Sequence, residues 1–102
     1  MKLTVIERIQ ISSLLPTEGS FVKLQTARNI LTSIKFSEKE ISLLEMKDVE
    51  NGQISWRTDK EEIKEIDFSD NQKELIKSIL VKLDQDEKLP NSLFDLYTTF
   101  VL

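Results

Sequence analysis

Residues 69–83, SDNQKELIKSILVKL, constrain the fold more than any other stretch of the chain. Leu75, Ile76, Ile79, Leu80 and Leu83 recur at the 3.6-residue period and predict one apolar stripe along a helix. Ser69 and Gln72 stand as a capping box, and Asp70 in the first turn suits the positive end of the helix dipole. Lys73, Lys77 and Lys82 fall off the stripe, toward water. A helix with a single apolar stripe needs a facing layer, so the remaining segments are expected to cover it.

The first candidates lie upstream. Thr4 and Glu7 offer a capping box for a helix over residues 5–14, with Val5, Ile6, Ile9 and Ser13 on one face, ended by Pro16 and a short Thr17-Glu18-Gly19 connection. Ser20 can cap a second helix, through residue 35, whose buried face is expected to be Phe21, Leu24, Ala27, Leu31 and Ile34. Phe36-Ser37-Glu38-Lys39-Glu40-Ile41 combines a Ser37/Glu40 capping box with a Phe36/Ile41 hydrophobic staple, and predicts a short third helix ending near Glu45. Downstream of the organising helix, residues 84–88 read as a polar turn. Pro90 then opens a last helix with a Leu93, Leu96, Tyr97, Phe100 stripe and Phe94 and Val101 at its flank.

Between the helices, residues 46–57 read as a β-hairpin around Asn51-Gly52, because a type I′ turn needs φ > 0 at both central positions. A two-residue turn there would place Val49 opposite Ile54 and Lys47 opposite Trp56. Asp48, Glu50, Gln53, Ser55 and Arg57 would then face water. A lone hairpin is marginal, so residues 64–68 are expected to add a third strand, with Ile66 and Phe68 on one face. The fold class that follows is α+β: about five helices packed on one face of a small antiparallel sheet (hairpin 46–57 plus strand 64–68), in a single compact domain over residues 1–102.

Composition removes several functions. There is no His and no Cys, so Ser–His and Cys–His nucleophile pairs, nitrogen–sulfur zinc sites and disulfides are all excluded. Gly19 and Gly52 stand apart, so no glycine-rich phosphate loop exists. The net charge of −4, without a locally basic run of residues, argues against nucleic acid as a partner. Apolar runs are short, and Glu7 and Arg8 interrupt the N-terminal segment, so neither a membrane span nor a secretory leader is expected. No cofactor is expected, and catalytic and metal sites are not assigned. Asp84-Gln85-Asp86 begins like a calcium loop, but Leu89 occupies the sixth place, where such loops require Gly. The acidic residues 59–74 could form a cation site or an acidic surface imitating nucleic acid; with Lys60, Lys64 and Lys73 interspersed they read better as a solvated face.

Candidate interface residues are Trp56, Phe94, Tyr97, Phe100, Val101 and Leu102. Three of the seven aromatics crowd into residues 94–100, and an apolar chain end implies docking onto the protein's own core or onto a partner. Glu18 and Arg28 form a candidate polar contact, as a structural ion pair or with Arg28 reaching a ligand.

The order Leu14-Leu15-Pro16, Glu18-Gly19, Phe21, Leu24, Arg28, Phe36-Ser37-Glu38, Trp56, Leu96-Tyr97 and Phe100 resembles a group of small bacteriophage and prophage proteins of about 100 residues. That group has no assigned activity. The resemblance therefore implies origin, and a bacterial cytoplasm or a virion as location, and carries over no functional residues. The expected function is a non-catalytic interaction module that binds a host or phage protein and self-associates. The alternatives are a virion or assembly component, and a carboxylate-based small-ligand binder or enzyme.

Overall fold

Hydroxyl side chains set where the first four helices begin. In the computed structural model, which describes residues 1–49 and 53–102, Thr4, Ser37 and Ser69 each close a capping box with Glu7, Glu40 and Gln72, and Ser20 caps through the Lys23 amide. The chain runs β1 (Lys2–Leu3), α1 (Val5–Leu14), α2 (Phe21–Ile34), α3 (Glu38–Leu44), β2 (Lys47–Val49), β3 (Gln53–Ser55), a 3₁₀ turn (Thr58–Lys60), β4 (Lys64–Glu65), α4 (Asp70–Gln85), a second 3₁₀ turn (Asn91–Leu93) and α5 (Phe94–Val101). Five helices with short antiparallel strands make it a small α+β fold.

The organising helix, α4, buries Leu75, Ile76 and Leu80, with Ile79 and Leu83 half-buried against the same core. It packs against α5 and α2 and touches α1. Lys73, Lys77 and Lys82 are exposed. Ile66 and Phe68, just after β4, turn inward together as the alternation predicts.

The strands depart from expectation. Residues 64–65 pair antiparallel with Lys2–Leu3, in the register Lys2↔Glu65 and Leu3↔Lys64, so they do not extend the hairpin. Leu3 is fully buried, and this ladder satisfies the backbone beside it, with the Ile66 amide donating to the Met1 carbonyl at 2.8 Å. The hairpin stands as a separate two-stranded sheet. Its register is one residue off the expected one: Val49 pairs with Gln53 and Lys47 with Ser55. A strand pair with no third strand and an exposed Ile54 has little burial to fix its register. The Asn51-Gly52 turn, with Glu50, lies outside the described residues.

Two helices also present faces other than those expected. In α1 the buried line is Val5, Arg8 and Ile11, while Ile6 and Ser13 are exposed. In α2 it is Ala27, Ile30 and Ile34. Phe21 is 78% exposed and Leu31 41%. Helix α2 carries two apolar lines, and α4 and α1 take the one built on Ala27 and Ile30. The turn before it holds Gly19 at φ +150°, a backbone region L side chains rarely adopt, so a side chain there would be strained.

Candidate interaction surface

The exposed line of α2 is held in place by a buried cation. Arg8 is 1% exposed. Its Nε donates to the Ile34 carbonyl at 3.1 Å and its Nη2 to the Lys35 carbonyl at 3.0 Å, both at the C-terminal end of α2. Those carbonyls lack helical partners and carry the negative end of the helix dipole, which suits a guanidinium. Nη1 donates to Glu40 Oε2 at 2.6 Å, and Nη2 to Glu40 Oε1 at 3.3 Å, in a bidentate pair. The Phe36 ring lies 3.9 Å from the guanidinium carbon. One side chain of α1 thus fixes where α2 ends and where α3 begins.

Glu40 is shared. It closes the α3 capping box by accepting from the Ser37 amide at 3.1 Å, and Lys64 Nζ stands 3.5 Å from it. The hydrogen bonds from Arg8 hold its carboxyl at about 2, down from the ordinary 4.5. The Ser37 amide and the Arg8 and Lys64 charges add to this, against the burial that pushes the other way. A carboxyl depressed on folding contributes stability that is present above the unfolded value and lost as pH falls toward the folded one. The interval corresponds to at most about 3 kcal/mol at ~1.4 kcal/mol per pH unit. With 27% of the side chain still exposed, solvent screening reduces it to about 1–2 kcal/mol. The stability difference between wild type and Glu40→Gln, measured by urea unfolding, is therefore expected to be full above pH 5 and to shrink between pH 4.5 and 2.

Three depressions follow one another along the α2 side of this junction. The first, about 610 Å³, is bordered by Pro16, Phe21, Leu24, Arg28 and Leu31 among others. The second, about 350 Å³, shares Leu31 and adds Arg8, Ile34, Lys35 and Phe36. The third, about 430 Å³, shares Lys35 and Phe36 and reaches Ile41, Met46, Lys47 and Ile54. Phe36 and Ile41, the expected staple pair, border this third depression together. The result is an open apolar groove, walled by α2 and running to the hairpin, with Phe21 protruding at one end.

Among the described residues, no carboxylate borders the three depressions. Residues 19–37 hold Lys23, Arg28 and Lys35, and all 18 Asp and Glu residues lie outside that stretch. Of these cations Arg28 and Lys35 border the depressions, while Lys23 borders a separate hollow with Val22 and Glu74.

The sequence-derived candidates are distributed differently. Glu18 and Arg28 are both exposed, and no ion pair joins them among the described residues; Arg28 borders the first depression instead. Trp56 is half-buried and its indole N–H donates to the Glu61 carboxylate. Arg57 holds Asp59 at 2.7 Å and approaches Glu45 at 3.4 Å, and its hydrogen bonds lower the Asp59 carboxyl. Part of the acidic stretch is therefore occupied in local pairs. Asp84 lies within α4 and accepts from the Tyr97 hydroxyl at 3.0 Å, and Asp86 stands 3.7 Å from Lys82.

On α5, Tyr97, Phe100 and Val101 are half-buried against the protein's own core, and the Phe100 ring meets that of Phe68 at 6.1 Å. Phe94 is 64% exposed and Leu102 is exposed. Phe100→Asp is expected to cost about 2–3 kcal/mol by driving a charge against Phe68. Phe94→Asp should stay within about 0.5 kcal/mol. Thermal unfolding of the two variants separates them.

Comparison with protein-family models, curated proteins and solved structures finds no match to this chain.

Proposed function

We propose that this chain is a non-catalytic protein-interaction module of bacteriophage or prophage origin, docking a host or phage protein through the groove along α2. The observation that carries this reading is the second apolar line of α2, in which Phe21 and Leu31 stay exposed although the helix has already filled its place in the core. Contiguous exposed apolar surface beside recessed depressions is the usual form of a contact site. The absence of His and Cys from the sequence supports a binding role over a hydrolytic one. The phage attribution rests on the resemblance of the positions named above and places the protein's work in a bacterial cytoplasm or a virion.

The test is site-specific photo-crosslinking in bacterial cells. A benzophenone side chain in place of Leu31 is expected to give a discrete adduct that the same group in place of Lys77, on the outer face of α4, does not give. Identical adducts from both positions, or none from position 31, would contradict the reading.

A further inference from the structure

We propose that the partner of the α2 groove is an acidic, apolar segment of a second protein. Its hydrophobic side chains would seat in the three depressions, and its Asp or Glu side chains would reach Arg28, Lys35 and Lys47. This rests on the docking role of α2 and adds the chemistry of what docks.

The argument is one of charge complementarity. The chain as a whole carries −4, yet the charged side chains that border the groove among the described residues are Arg8, Arg28, Lys35 and Lys47, all cations. Arg28, Lys35 and Lys47 are exposed, and none joins an ion pair among the described residues. Arg8, the remaining cation at the groove, is already neutralised by Glu40 and contributes shape rather than charge. At the outer edge of α2, Glu74 lies on that separate hollow with Val22 and Lys23, outside the three depressions. Positive charge flanking apolar depressions selects a ligand with the opposite rim and the same centre.

Two other anionic surfaces fit less well. Nucleic acid offers little to fill depressions walled by Leu24, Leu31 and Ile41. An anionic bilayer would leave recessed hollows unfilled while meeting a protein of net negative charge.

The experiment is selection of a displayed library of random peptides against the whole protein, counter-selected against Leu31→Asp. Arg28→Glu, at an exposed position, serves as the variant that keeps its fold, checked by circular dichroism. Selected peptides are expected to combine apolar anchors with Asp or Glu. Their Kd should rise about tenfold in Arg28→Glu, equivalent to ~1.4 kcal/mol, and rise with salt. Apolar peptides that lose binding with Leu31→Asp but show no acidic enrichment would overturn the acidic partner while leaving the groove as a docking site. Recovery of no Leu31-dependent peptide would overturn both. Sedimentation with phosphatidylserine vesicles, reversed by Arg28→Glu, in place of peptide binding would also overturn the proposal.

Discussion

Arg8→Ala is expected to lower the unfolding free energy by about 3–5 kcal/mol, the cost of leaving the other half of a buried ion pair without its partner. The loss has several parts. Glu40 would keep a partly buried charge with only Lys64, at 3.5 Å, and the Ser37 amide to offset it. The Ile34 and Lys35 carbonyls would lose their donors at the end of α2. Phe36 would lose the guanidinium packed on its ring. A domain of this size is stable by roughly 5–15 kcal/mol, so the variant would have a melting temperature lower by on the order of 20 °C. Arg8→Lys should recover only part of this, because an ammonium cannot serve two carbonyls and a carboxylate in one plane. Lys64→Ala, removing the exposed cation beside the same carboxylate, should change stability by no more than about 0.5 kcal/mol. Calorimetry of the three variants checks the order.

Leu80→Ala carries the second largest expected effect, about 2–5 kcal/mol. Leu80 is fully buried on α4, whose neighbours α2 and α5 belong to different parts of the chain. A cavity there would be lined from more than one element, and such a site collapses poorly. Leu83, on the same stripe but only half-buried, should lose about half as much on truncation, in proportion to the area each side chain buries. Urea unfolding with a common slope for the two variants reads the difference directly. Equal losses would mean that α4 does not hold its place by the stripe.

The sequence made the helices legible because each is specified locally. Thr4, Ser20, Ser37 and Ser69 mark starts that survive into the fold, and Leu75 to Leu83 carry one unambiguous stripe. What it obscured depends on partners distant in the chain. Arg8 is disguised by its charge. Periodicity counts apolar residues only, so it draws the α1 face through Ile6 and Ile9, and the carboxylate that makes Arg8 buriable lies thirty-two positions away. In α2 two apolar lines compete, and nothing local decides between Leu31 and Ile30; packing on α4 and α1 does. The strand at Lys64–Glu65 has no local signal for its partner, because its mate is the two-residue strand Lys2–Leu3, far upstream in the chain. The groove was illegible for the same reason: Phe21 and Leu31 look like core until Ile30 is seen to hold that place.

That exchange of faces is what the functional reading depends on. If Phe21 and Leu31 are free, α2 has a surface to offer; if they are core, it has none. The chain contains no Cys, so single cysteines can be introduced one at a time at positions 21, 28 and 31 and at 27, 30 and 34, and their rates of thiol alkylation measured on the folded protein. Fast reaction at Phe21→Cys, Arg28→Cys and Leu31→Cys, with Ala27→Cys, Ile30→Cys and Ile34→Cys protected until urea unfolds the protein, is the predicted result. Protection at 21 and 31 with free reaction at 30 would contradict it, and would remove the groove.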